Sequence, residues 1–174
     1  LKRAGGYGKY YLFLEDDMLL CPNGFLSIQY ILNKASRYAP NWLAIRASYG
    51  LNGIFIHDKD INHFYHYLID NQARRPPDHL AVEWFAGESN ISRYYKGSRE
   101  HMAYRFNIFD HIGISSTLRS AKQTSFPRCY ESLGEPTLFK VEAFNPRMCP
   151  TDDIWPCQMH TGQSGTPSDR AIVR

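Results

Sequence analysis

The sequence predicts an α/β domain, and three observations predict it. Short apolar runs rich in aromatic and branched residues recur along the chain, amphipathic helical stripes separate them, and acids gather where the first run ends. Short runs without polar alternation read as buried strands, while apolar positions recurring at helical spacing read as helices that cover them. Strand and helix in alternation give a layered architecture. A chain of 174 residues, 43% apolar and 14% aromatic, fits one domain with a real core.

Residues 1–9 carry three glycines and read as a loop. Tyr10-Tyr11-Leu12-Phe13-Leu14 then forms a strand that ends abruptly in Glu15-Asp16-Asp17. Its lack of a polar face predicts burial on both sides. In open α/β sheets, ligands bind at the carboxyl ends of strands, where the departing loops form a crevice. Three adjacent carboxylates repel one another, so a site holding them needs a cation or a shared proton. An oxygen-seeking divalent metal is the natural guest. A solvated turn before Pro22-Asn23 is the alternative reading of the same acids.

Residues 22–36 place Phe25, Ile28, Ile31, Leu32 and Ala35 on one helical stripe, which Pro40-Asn41 closes. Residues 42–47 predict a second strand, and a turn over 50–53 releases a third at Ile54-Phe55-Ile56. From Asp58 the apolar residues Ile61, Phe64, Tyr65, Leu68 and Ile69 again follow helical spacing, with Asp58 or Asp60 as the cap.

The stretch Arg74-Arg75-Pro76-Pro77-Asp78-His79-Leu80-Ala81-Val82-Glu83-Trp84-Phe85 is the second informative one. The double proline ends what precedes it, and Asp78 falls where an N-cap belongs for a short helix through Phe85. Capping alone accounts for Asp78. The functional reading makes Asp78 or Glu83 a general base that takes a proton from an attacking hydroxyl. On a helix the two point to different faces, so only one of them serves. Residues 89–100 are polar and glycine-punctuated, which predicts a surface loop. Tyr104-Arg105-Phe106 reads as a strand, followed by His111, Gly113 and Ser115-Ser116. His111 is either a structural histidine or a metal ligand. Gly113 permits close backbone approach, and the serines offer hydroxyls and amides to an anion.

Other classes are disfavoured. The net charge of +3 is small and scattered, with no basic run to track a phosphate backbone, so nucleic acid is not an expected partner. Apolar stretches fall short of the roughly 20 residues of a membrane span. The four cysteines, Cys21, Cys129, Cys149 and Cys157, show no zinc-site spacing. They permit two disulfides, with Cys149–Cys157 the first pair to expect, or buried free thiols. Asn90-Ile91-Ser92 is a glycosylation sequon, meaningful only in a lumenal or secreted chain. From residue 136 the sequence degrades into Pro, Gly, Ser and Thr, the composition of a linker or disordered tail.

Taken together, Leu14-Glu15-Asp16-Asp17, Pro77-Asp78, Arg105-Phe106, Phe109-Asp110-His111-Ile112-Gly113, Ser115-Ser116 and Asn145-Pro146 carry a family resemblance. In motif order and spacing, residues 10–146 resemble the N-acetylglucosaminyltransferase IV family, the α-1,3-mannosyl-glycoprotein 4-β-N-acetylglucosaminyltransferases of glycosyltransferase family 54. The resemblance implies a GT-A type nucleotide-sugar transferase fold, represented by the C-terminal portion of the catalytic domain. Residues 1–146 would be that partial domain, without its upstream nucleotide-binding half, and 147–174 a disordered Pro/Gly/Ser-rich tail. It implies inverting, Mn²⁺-dependent transfer of GlcNAc from UDP-GlcNAc to a mannose hydroxyl of an N-glycan. It also implies a Golgi lumenal, type II membrane protein, anchored by a segment outside this chain.

Carried over by position, Glu15 and Asp17 frame the acidic motif, with Asp17 the direct metal ligand and His111 the distal one. Asp16, Gly113, Ser115 and Ser116 would lie beside the donor, and Asp78 would be the base, with Glu83 next in line. Two departures stand out: His79 replaces an aromatic residue after the base, and Ile45-Arg46-Ala47 lacks the family's acid on that strand. The second falls on the expected acceptor side. It leaves open a transferase acting on a glycolipid anchor or a protein-linked sugar, and a non-catalytic glycan-binding or regulatory relative.

Overall fold

The computed structural model describes residues 5–50, 52–113, 126–134 and 144–157. The elements are β1 (Tyr10–Phe13), β2 (Met18–Leu20), α1 (Gly24–Tyr38), β3 (Ala44–Arg46), β4 (Ile54–His57), α2 (Asp58–Asn71), α3 (Pro77–Ala86), α4 (Asn90–Lys96), β5 (His101–Tyr104), β6 (Phe109–His111) and β7 (Ile154–Trp155). Five strands form one mixed sheet in the order β1-β4-β3-β5-β7, and β2 pairs with β6 in a separate ribbon. β4 runs antiparallel to both β1 and β3, while β3 and β5 are parallel. The carboxyl ends of β1, β3 and β5 therefore meet along one edge of the sheet. The chain is α/β, as its alternating pattern predicts.

Three layers follow from the alternation of side chains along the strands. Ile45 and Phe55 face one side and pack with Ile31 and Ala35 of α1, Trp42, Met102 and Phe109. Ala44, Ile54 and Ile56 face the other and pack with Ile61 and Phe64 of α2 and Leu80, Ala81, Trp84 and Phe85 of α3. The central strand β3 is buried on both faces. The turn before β4 depends on Gly53, whose φ is +63° and where a Cβ would sit 2.9 Å from the Ser48 Cβ. A left-handed backbone and a close approach together restrict that position to glycine.

Several local expectations need correcting. β1 is a sheet edge rather than a fully buried strand, and Leu12 is 38% exposed. The stripe on α1 begins too early, because Phe25 lies beyond the sheet and is solvent-exposed. Residues 89–100 are not simply a loop: Ser89 and Ser92 form a reciprocal capping box that starts α4. The strand placed at 104–106 is shifted, with β5 ending at Tyr104 and Phe106 making only an isolated bridge to Ser132. Asp58 and Asp60 lie in the first turn of α2 without capping it.

The expected break at residue 146 is not a structural boundary. β7 lies in the supposed tail and pairs antiparallel with β5. Lys34 of α1 holds Asp152 and Asp153 at 2.6 and 2.5 Å, and Tyr38 donates to Asp152 at 3.0 Å. Cys149 and Cys157 form the expected disulfide, and Cys21 pairs with Cys129. Residues 158–174 lie outside the described residues. No helix among the described residues is long and apolar enough to cross a membrane.

Candidate functional site

The acidic run leaves β1 at the edge where β1, β3 and β5 all end, then turns into β2. β2 runs antiparallel to β6 with Met18 opposite His111, and the Ile112 N–H donates to the Asp17 carbonyl at 2.9 Å. This register sets Asp17 beside His111, so that Asp17 Oδ2 lies 3.0 Å from His111 Nε2. The imidazole is 15% exposed and the carboxylate 38%, a pair at the surface with one flank shielded. Asp17 Oδ1 is buried and has no hydrogen-bond partner among the described residues. A buried carboxylate oxygen without a donor is costly unless a ligand or cation engages it.

Gly113 completes the corner. A Cβ there would collide with Asp17 Oδ2 and would lie 2.9 Å from His111 Cε1. The space required by the Asp17–His111 pair is therefore the space that a side chain at position 113 would take. Ser115 and Ser116 lie outside the described residues. Asp16 is exposed.

Glu15 does not join this pair. Its N–H donates to Asn52 Oδ1 and its Oε2 accepts from Asn52 Nδ2, both at 2.8 Å, so Asn52 clamps its backbone and side chain together. Among the described residues, no group of three or more His, Cys, Asp or Glu side chains converges as metal donors. Among the described residues the fold brings together two candidate donors, an oxygen and a nitrogen. This donor set suits a divalent cation whose remaining positions are filled by phosphate oxygens or water.

The two acids read as alternative bases have different surroundings. Asp78 is the second residue of α3, not its cap; Pro76 holds the cap position and Pro77 is the first helical residue. Its carboxylate is half-buried in the first turn, with no side-chain capping bond. Glu83, by contrast, is 2% exposed. Tyr67 and Arg74 donate to it, Arg75 lies 3.1 Å from Oε2, and Tyr67 also meets Ser89 at 2.9 Å. The Arg74 guanidinium foremost, with Tyr67 and Arg75, outweighs burial and pulls the Glu83 carboxyl down to about 2. A carboxylate so engaged is a poor proton acceptor near neutrality. Glu83 is a structural ion-pair centre, and Asp78 alone remains as the candidate base. No hydrogen bond or ion pair joins Asp78 to Asp17 or His111.

Sequence reading missed the polar groups behind the site. Asn107 is fully buried, accepts from Ser48 Oγ at 2.7 Å, and donates to the carbonyls of Phe109 and Pro127 at 2.7 Å each. It ties the end of β3 to β6 and to residues 126–134. A lone asparagine reads as a turn residue, and the apolar neighbours Phe106, Ile108 and Phe109 were the one signal that it could be buried. Arg46, one of the departures from the resembled family, is fully buried at the end of β3 and donates to the Gly50 carbonyl.

The chain matches no family model, no curated protein and no solved structure.

Proposed function

We propose that the chain carries the catalytic edge of a metal-dependent, inverting nucleotide-sugar glycosyltransferase of GT-A type, with UDP-GlcNAc as donor and an N-glycan mannose as acceptor. The observation that carries this reading is the Asp17–His111 pair at the carboxyl edge of the sheet, with one Asp17 oxygen buried and without a partner among the described residues. Both residues belong to the motifs through which the sequence resembles N-acetylglucosaminyltransferase IV.

In this reading Asp17 and His111 would hold the metal, and Gly113 leaves the room that this pair itself occupies. A bound divalent cation would offset the charge that builds on the departing diphosphate. Asp78 accepts the proton from the acceptor hydroxyl as that oxygen attacks the anomeric carbon. Glu83 anchors α3 and thereby the turn that bears Asp78. Two disulfides suit an oxidising lumenal compartment, which agrees with a Golgi location.

A second reading, the same chemistry on a glycolipid-anchor or protein-linked sugar, is favoured by Arg46, a buried cation where the resembled family carries an acid. The test of the first reading is UDP release by the intact protein from a panel of UDP-sugars, with and without Mn²⁺, in the presence of a biantennary N-glycan. Turnover of UDP-GlcNAc that needs Mn²⁺ and stops in Asp17→Ala is the expected result. Turnover only with another acceptor class would favour the second reading, and turnover that survives Asp17→Ala would sink both.

A further inference from the structure

One wall of the Asp17–His111 pair is aromatic. The Phe126 ring lies 4.5 Å from the His111 ring at 52° and 4.7 Å from the Tyr49 ring at 12°. Tyr49 is itself 2% exposed and belongs to the core beneath β3, so Phe126 bridges a fixed surface and the imidazole.

What keeps Phe126 there is a set of bonds that touch neither Asp17 nor His111. Asn107 donates to the Pro127 carbonyl at 2.7 Å and to the Arg128 carbonyl at 3.3 Å. The Tyr130 N–H donates to the Asn107 carbonyl at 2.7 Å, and the Asn107 N–H to the Glu131 carbonyl at 2.9 Å. The Tyr130 hydroxyl donates to the Pro22 carbonyl, and Cys129 is joined to Cys21, directly after β2. The same short segment is therefore bound to Cys21 and Pro22, just after β2, and to Asn107, just before β6, so it is tied beside both strands of the ribbon that carries the pair.

Rotation about χ2 of a histidine is soft and roughly two-fold. A single contact of 3.0 Å to Asp17 does not by itself hold Nε2 in one direction. An aromatic ring set against the imidazole at 4.5 Å and 52° restricts that freedom. Groups that orient a metal-binding histidine typically change metal affinity about 10–100-fold when lost.

We propose that Phe126 is a positioning residue for the candidate metal pair: packed on Tyr49, it fixes the His111 imidazole with Nε2 toward Asp17 and so sets the affinity for a divalent cation. The inference rests on the reading of Asp17 and His111 as metal ligands.

The test is Mn²⁺ binding to the intact protein in the presence of UDP, followed by electron paramagnetic resonance of the free ion. Wild type, Phe126→Leu, Phe126→Tyr and His111→Ala are compared, with thermal melts to check folding. Phe126→Leu is expected to raise the Mn²⁺ dissociation constant about 10–100-fold, with Phe126→Tyr restoring it to within roughly threefold of wild type. A folded Phe126→Leu protein within twofold of wild type would overturn the inference while leaving the metal pair intact. Mn²⁺ binding by wild type that His111→Ala does not alter would overturn the metal-pair reading, and this inference with it. Should Phe126→Leu fail to fold, nuclear Overhauser contacts in the wild-type protein decide. Cross-peaks between the Phe126 and His111 rings, with a single His111 ring orientation, support the inference, and a freely turning imidazole overturns it.

Discussion

At the scale of single residues, the site is a matter of a few ångströms around Gly113. Gly113→Ala places a methyl group against Asp17 Oδ2 and 2.9 Å from His111 Cε1, so one of the pair must move. The expected outcome is loss of Mn²⁺-dependent turnover by about 100-fold or more, because misplacing reacting groups by an ångström costs that much. Steady-state rates across a Mn²⁺ titration check it. The melting temperature should hardly change, since the site is at the surface. Asp78→Asn is expected to abolish turnover while Mn²⁺ and UDP still bind, because the amide cannot accept a proton; retained turnover would remove Asp78 from the mechanism. Much of this scale was legible in the sequence. Asp17, His111 and Gly113 stand in short motifs whose chemistry is visible from residue type. Glu15 was legible only as an acid, and its engagement by Asn52 comes from a turn 37 residues away that no local pattern reveals.

At the scale of elements, the helices that cover the second face of the sheet are joined by one buried carboxylate. Glu83 of α3 accepts from Tyr67 of α2 and from Arg74, and Tyr67 reaches Ser89, the residue that caps α4. Glu83→Ala is expected to destabilise the fold by about 1–2 kcal/mol, because it removes the buried acceptor of Tyr67, which keeps Ser89, while the half-exposed Arg74 and Arg75 turn to water. Chemical denaturation at pH 7 measures this. The folded-state pKa of Glu83 lies near 2, below its usual value of 4.5. Its contribution is therefore fully present above about pH 4.5 and fades as pH falls toward 2. In Glu83→Ala the acid limb of the stability curve should flatten over that window. α1 and α2 were legible because apolar stripes of two or more turns survive noise, and α3 because a proline pair opens it. α4 was not, because its seven residues are mostly polar and its start is set by a serine pair rather than by a hydrophobic face. β1 misled for the opposite reason: four apolar residues look alike on an edge and in a centre.

At the scale of the whole molecule, the sheet is mixed, and neither the antiparallel insertion of β4 between β1 and β3 nor the return of β7 onto β5 was readable from local pattern. β3 and β4 pair across a short local turn, but β1 with β4 and β5 with β7 pair over long sequence separations, decided by which surfaces fit. The assembled sheet also fixes two histidines in neutral form. Burial foremost, then the Lys59 charge, lowers His57 to about 4, where its ring lies 3.7 Å from the Trp42 ring. Burial likewise holds His101 well below its usual range. The unfolded chain protonates both near pH 6.5, and the folded chain resists. Stability should therefore fall as pH drops from about 6.5 to 4, with His57 and His101 both contributing. Urea midpoints at pH 7, 5.5 and 4 test this, and a flat profile would show that both rings remain open to solvent. His57→Phe should remove part of the slope.

The two disulfides enclose loops that follow one another without overlap, Cys21 to Cys129 across 108 positions and Cys149 to Cys157 across 8. During synthesis at about 5–20 residues per second, Cys21 waits roughly 5–20 s for the next cysteine to emerge, and that cysteine is its native partner. Cys149 then appears, and Cys157 follows almost at once. Among the four cysteines of residues 1–174, first-come pairing on the ribosome thus yields the observed connectivity, without the reshuffling that interleaved bonds would demand of a folding enzyme.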